Sequence, residues 1–220
     1  MAIRIISRSD ELFQDRQEAG RLLAGELKQF GGGKTVVVGI PRGGVIVARE
    51  IARELGAEFD IVLAHKLGSP GNAELAIGSV SEDGRVFVNE RLVRNLGVND
   101  SYIETEKVRQ LVELRRRAAL VRRVRPKVAL SCKRVIICDD GVATGATAQA
   151  AIWSVRLEEP STLILALPVG PEETLRKLAE DVDEMICLRA PCDFAGVGQF
   201  YLHFDPVQDE VVVSILKQAP

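Results

Sequence analysis

The chain has 220 residues, of which 46% are apolar and 27% charged, and its formal net charge is −2. That length suits one α/β domain, residues 1–220, with room for a small subdomain. The near balance of charge excludes a global attraction to nucleic acid or a membrane surface, and no apolar run approaches a membrane span.

The first seven residues are too short and too soon polar for a secretory signal. The four cysteines, Cys132, Cys138, Cys187 and Cys192, form no CxxC, and His65 and His203 are the only histidines. A structural zinc site is therefore not expected, and a reducing cytoplasm is. Cys138, inside an apolar run, reads as a small buried hydrophobe.

Ser9 is placed to cap a helix with Asp10 and Glu11 in its first turn. Leu12, Phe13, Ala19, Leu22, Leu23, Leu27 and Phe30 follow at roughly helical spacing. Gly31-Gly32-Gly33 ends it. The next residues, Lys34-Thr35, invite a phosphate-loop reading, which fails twice. Residue 28 is Lys where that motif needs Gly, and the glycines follow a helix and open a strand instead of the reverse.

The strand Val36-Val37-Val38 ends at Gly39-Ile40-Pro41-Arg42-Gly43-Gly44, and a helix over 45–55 follows, closed by Gly56. Such glycines let backbone amides close on an anion, and Arg42 can add a bidentate contact to phosphate. An ordinary turn with a surface arginine is the alternative. A second strand, 59–64, ends at His65-Lys66. Lys66 is placed where a cation could meet an anion. His65 is a polar contact or a packed ring. Residues 67–74 are rich in turn formers and read as a mobile segment. Residues 75–80 and 85–88 suit a hairpin across Ser81-Glu82-Asp83-Gly84.

Residues 99–125 read as one long helix with an apolar stripe of Val108, Leu111, Val112, Leu114, Ala118 and Val121. Residues 107–127 are dense in Arg and Lys, with Glu113 their only acid. A solvated face, arginines reaching an anionic ligand, and phosphate contacts to nucleic acid all compete here. The absence of interleaved aromatics weighs against the last.

Val135-Ile136-Ile137-Cys138 is a buried strand that stops at Asp139-Asp140. A turn of small residues, Gly141-Val142-Ala143-Thr144-Gly145-Ala146-Thr147, leads into a helix. Open amides and the helix dipole favour an anion there, and the carboxylates can accept from sugar hydroxyls or sit beside a cation. Residues 162–169 and 184–188 are further buried strands, with a short helix over 172–178 between them. The strands at 35–39, 60–65, 134–138, 162–167 and 184–188 predict an α/β fold: a doubly wound, mainly parallel five-stranded sheet with helices on both faces. Arg42, Lys66, Asp139 and Asp140 all fall at strand C-terminal ends, where such sheets bind ligands. The irregular stretch 189–206 holds Phe194, Phe200, Tyr201, His203 and Phe204 in a chain that is only 5% aromatic. It reads as a ring pocket or an apolar cluster. A terminal helix opens near Pro206 and Asp209.

Residues 135–147 resemble the phosphoribosyl-pyrophosphate (PRPP) signature of type I phosphoribosyltransferases, and Arg42-Gly43-Gly44 resembles their pyrophosphate loop. Gly141 departs from the pattern, where the family more often has an aliphatic residue. The resemblance implies transfer of ribose 5-phosphate from PRPP to a nitrogenous base or related small-molecule acceptor, with pyrophosphate released. Asp139 and Asp140 would be the catalytic acids on the ribose hydroxyls. Ala143, Thr144, Gly145, Ala146 and Thr147 would hold the 5-phosphate. Arg42, Gly43, Gly44 and Lys66 would hold pyrophosphate, with a strained or cis peptide expected at Arg42–Gly43. Mg²⁺ would bridge PRPP oxygens and meet Asp139 and Asp140 through water.

The resemblance also implies a core at about 34–66 and 132–188. A flexible insertion at 67–131 would cover the site, and a hood at 189–206, completed by the N-terminal segment, would hold the acceptor. Phe194 and Tyr201 are the candidate stacking rings, and a homodimer is expected. Ala143 stands where the hypoxanthine–guanine branch places a carboxylate, which disfavours a 6-oxopurine acceptor. The adenine branch has a similar Ala-Thr-Gly. A non-catalytic, PRPP- or nucleotide-sensing protein on the same fold is the alternative. A dinucleotide-binding oxidoreductase is excluded by the lack of a G-x-G-x-x-G turn.

Overall fold

The structure, a computed structural model, describes residues 2–218. Its centre is a six-stranded sheet in which every neighbouring pair is parallel. The strands are β1 (Ala2–Ser7), β2 (Thr35–Gly39), β3 (Glu58–Ile61), β7 (Arg134–Cys138), β8 (Thr162–Val169) and β9 (Glu184–Arg189). They lie in the order β1-β9-β8-β7-β2-β3. A separate antiparallel sheet holds β4 (Ala64–Ser69), β5 (Asn72–Ser81) and β6 (Val86–Val88).

The helices are α1 (Arg16–Leu27), α2 (Gly44–Leu55), α3 (Glu90–Leu96), α4 (Asp100–Arg122), α5 (Ala146–Arg156), α6 (Glu172–Ala179) and α7 (Asp209–Gln218). Both faces of the large sheet are covered. Val37, Ile136, Ile164 and Ile186 pack with α1 and α2 residues such as Leu23, Val47 and Ile51 on one face. Val36, Val135, Leu163 and Leu165 pack with Ile152 and Trp153 of α5 on the other. That two-sided burial is why these strands read as unbroken apolar runs.

Register places the site. Gly39 of β2 pairs with Cys138 of β7, so the two central strands end level. Ile40 then donates to the Cys138 carbonyl at 2.8 Å. The loops that follow, 40–43 and 139–145, therefore start side by side.

Several expectations are corrected. The sheet has a sixth strand, β1, which adds to β9 with Ile3 opposite Met185. Helix α1 starts at Arg16, not Ser9: Asp15 caps it by accepting from the Glu18 amide at 2.8 Å. Phe13 is drawn out of any helix into a bridge with Tyr201. The strand expected at 60–65 ends at Ile61, and His65 and Lys66 belong to β4 of the small sheet. Residues 67–74 form the tip of the β4–β5 hairpin, with Ser69 paired to Asn72. The 75–88 hairpin forms as expected, with Val80 opposite Val86. The long helix forms too, capped by Asn99. Its predicted stripe is only half right: Leu111, Leu114 and Val121 are buried, whereas Val108 and Val112 are 60% and 70% exposed.

The basic residues of α4 are largely absorbed by local pairing. Arg109 pairs with Glu106, and Arg116 and Arg117 pair with Glu113. Arg122 turns inward to Asp60 and Glu82, each at 2.7 Å. Asp60 is only 2% exposed and also accepts from the amides of Ile61 and Val128. That cluster ties the end of α4 to the edge strand β3.

Candidate active site

The acid pair sits at the tip of β7. Both carboxylates are half-buried, and the Asp140 amide donates to Asp139 Oδ1 at 2.8 Å. Loss of hydration, followed by the neighbouring Asp140 charge, pushes the Asp139 carboxyl well above the ordinary range.

The loop after β2 packs directly onto this pair. A Cβ on Gly43 would overlap the Asp140 carboxylate, and one on Gly44 would stand 2.7 Å from the Asp139 Cα and the Cys138 carbonyl. Gly43 has φ −63° and ψ −39°, a conformation open to every residue, so space alone requires glycine there. The cis peptide of this loop is Pro41–Arg42, one bond before the Arg42–Gly43 bond expected from sequence.

On the other side of the acids, residues 141–145 lead into α5. Gly145 has φ 79°, and a Cβ on it would meet Thr174 and Leu178. Helix α5 has no side-chain cap and no acid in its first turn, so its leading amides are available to an anion. Ala143, Thr144 and Thr147 are exposed around them. The Ala143 carbonyl accepts from the Thr174 hydroxyl at 2.8 Å, which pins the loop to α6.

Between the two loops and the small sheet lies a cavity of about 340 Å³. Pro41, His65, Lys66, Gln110, Arg117 and Thr147 are among its walls. Lys66 shares this cavity with Pro41 and Thr147, but it reaches it from β4 of the small sheet and not from the end of a core strand. Arg117 was not singled out by sequence, being one among many basic residues of α4. Gln110 donates to Glu106 and so turns its carbonyl oxygen to His65 Nδ1 at 3.0 Å. Burial holds the His65 imidazole below its ordinary value, and the Gln110 contact opposes this. Arg42 lies away from this cavity's walls, 45% exposed and 4.0 Å from Asp209 of α7.

The aromatic cluster after β9 closes over the acids from the third side. Tyr201 is 6% exposed, stacks on Phe204 with centroids 5.0 Å apart, and meets Phe13 at 5.3 Å. Its hydroxyl donates to the Asp140 carbonyl at 2.6 Å, and burial raises its pKa well above the ordinary phenol. Phe194 stacks on Phe200 at 5.4 Å. Both rings expected to receive an acceptor are thus engaged with their own neighbours.

Arg16, from the start of α1, reaches Asp140 Oδ2 at 2.7 Å through Nε. Nothing in the sequence marks this arginine. Its only local signal is the Asp15 cap beside it.

Among the described residues no cluster of three or more His, Cys, Asp or Glu gathers as a metal site, and no helix is long and apolar enough to cross a membrane. All four cysteines are free thiols, and Cys138 is buried as expected.

The phosphoribosyl transferase domain model matches residues 9–204, which include both loops, the small sheet and the aromatic cluster. The chain belongs to the phosphoribosyltransferase family. Two Mycobacterium tuberculosis proteins, from strains CDC 1551 and H37Rv, are described provisionally as phosphoribosyl transferases. Each is 42% identical over 209 residues, covering 95% of this chain and 47% of the relative. The chain therefore spans about half the length of these curated relatives. The crystal structure of the Thermus thermophilus protein TT1426 superposes with a TM-score of 0.90 at 45% identity. That match covers 94% of this chain and 99% of the other. Family membership agrees with the resemblance carried by residues 135–147, and the parallel, doubly wound sheet with its flanking helices is the architecture expected of it.

Proposed function

We propose that this chain transfers ribose 5-phosphate from PRPP to a nitrogenous base or related acceptor and releases pyrophosphate. The observation that carries the reading is the contact between two loops distant in sequence. Gly43 and Gly44 close onto Asp140 and Asp139, while the uncapped start of α5 opens beside them. A sugar seated on the acids would have its 5-phosphate at residues 143–147 and its pyrophosphate toward residues 42–44 and the cavity with Lys66 and Arg117.

In this reading the acceptor nitrogen donates its lone pair to the sugar C1, and the proton that an N–H acceptor carries passes to water or to the departing pyrophosphate. The bond from C1 to the pyrophosphate oxygen breaks, and its electron pair leaves with pyrophosphate. Asp139 and Asp140 accept from the ribose hydroxyls, and their charge favours the cationic sugar of the transition state. Lys66 and Arg117 stabilise charge on the leaving group, and fixed geometry supplies much of the rest. Two carboxylates, one of them ion-paired, suit a hard divalent cation that takes most of its oxygens from ligand and water. Asp139 would hold such a Mg²⁺ through water, and the cation would screen the pyrophosphate charge. Ala143 brings no carboxylate to the acceptor, in keeping with a base other than a 6-oxopurine.

A pyrophosphate-release screen with PRPP, Mg²⁺ and a panel of bases tests this. Release with at least one base is expected, together with a loss of orders of magnitude in Asp140→Asn. Tight PRPP binding with no release for any base would favour a sensing role. Wild-type rates in Asp140→Asn would remove the site assignment.

A further inference from the structure

Asp139 and Asp140 are adjacent in sequence and unlike in their surroundings. The Asp139 carboxylate accepts from the Asp140 amide, and the residue lies under Gly44. Asp140 is gripped from outside its strand at two points. Its carboxylate takes Arg16 Nε at 2.7 Å, and its carbonyl takes the Tyr201 hydroxyl at 2.6 Å. The two side chains of the ion pair are 9% and 15% exposed, so water screens the contact little.

Arg16 is itself held on two further sides. Nη1 donates to the Asp205 carbonyl at 3.0 Å, and the guanidinium lies 3.8 Å from the centroid of the Phe204 ring. Phe204 in turn stacks on Tyr201. A planar cation fixed by a ring, a carbonyl and a carboxylate has no rotational freedom to spare. Through Nε it holds one carboxylate oxygen, Oδ2, in place in return. An arginine needed only to anchor α1 could reach any nearby carbonyl. This one ends on the acid that the family resemblance assigns to the sugar.

We infer that Arg16 is a positioning residue for ribose recognition: it locks Asp140 Oδ2 so that the remaining oxygen is presented to a sugar hydroxyl in one orientation. This rests on the phosphoribosyl reading above. It also links the segment after β9 to the donor site, because Tyr201, Phe204 and Asp205 hold Arg16 and Asp140 as one unit.

The test is hydroxyl discrimination, measured by calorimetry on the folded full chain with ribose 5-phosphate and its 2,3-dideoxy analogue. Wild type is expected to favour the ribose form by about a hundredfold, in line with charged hydrogen bonds to two hydroxyls. In Arg16→Gln the ratio should shrink about tenfold, with affinity for the dideoxy analogue unchanged. Arg16→Lys should recover part of the ratio, since an ammonium can pair with Asp140 but lacks the planar fork. Circular dichroism and melting of both variants guard against misfolding. An equal loss for both ligands, or an unchanged ratio in both folded variants, overturns the role of Arg16. Wild-type protein that binds neither PRPP nor ribose 5-phosphate overturns the phosphoribosyl reading instead.

Discussion

The contact between the two loops can be tested with one methyl group. Gly43→Ala places a Cβ into the Asp140 carboxylate and 2.9 Å from Arg16 Nε. Backbone conformation is not at issue, because φ −63° suits alanine well. Gly43 is the N-cap of α2, so alanine there does not bring the gain of up to about 1 kcal/mol that it has over glycine inside a helix. The overlap must be relieved by moving a carboxylate that is 15% exposed and tied to a nearly buried arginine. Overpacking alone costs about 1–3 kcal/mol, and disturbing a buried ion pair adds to it. The net expectation is a loss of roughly 2–3 kcal/mol, or about 4–12 °C in melting temperature for a domain of this size. PRPP affinity should fall with it.

Gly25→Ala is the control. It lies in α1 with no atom within 4 Å of an added Cβ. The same chemical change there should stabilise by about 0.5–1 kcal/mol, the ordinary gain of alanine over glycine in a helix. Urea unfolding and PRPP titration of both variants check the pair. Gly43→Ala with wild-type stability and PRPP affinity would falsify the claim that these loops abut.

Three further outcomes are expected. Asp139→Asn should melt above wild type at neutral pH while losing turnover. Its raised pKa means that the ionised carboxylate opposes folding there, and the amide keeps an oxygen for the Asp140 N–H. A lower melting temperature would contradict this. Arg122→Ala should cost about 3–5 kcal/mol by leaving Asp60 buried without its cation, read by chemical denaturation. His65 is held below its ordinary pKa, so the unfolded chain takes up its proton first. Its contribution to stability is present at pH 7.5 and declines as pH falls below about 6.5 toward the folded value. His65→Gln should flatten the melting-temperature profile between pH 7.5 and 5.5, and an unchanged slope would count against the burial argument.

Much of the site was legible because its residues are local in sequence. A strand, an acid pair and a small-residue turn occupy one run, so residues 135–147 announce their geometry through spacing alone. The same holds for residues 39–44. Periodicity likewise located β2, β7, β8 and β9, since strands buried on both faces carry unbroken apolar runs. Where one segment could satisfy two patterns, the reading slipped. Val108 and Val112 continue the α4 stripe in spacing, yet the small sheet covers only part of that helix's circumference. His65 and Lys66 looked like the end of a core strand, but pairing with Val80 and Ser79 carries them into the second sheet.

What sequence alone determined, then, is the parallel fold, the acid tip and the two loops, because each is written in a short stretch with its own periodicity or turn chemistry. Only the tertiary structure decided who touches the acids. Arg16 is separated from Asp140 by 124 positions and Tyr201 from it by 61. No local pattern encodes such distances. The contact arises because α1 and the segment after β9 close over the C-terminal edge of the same sheet, where burial forces a carboxylate to find a cation.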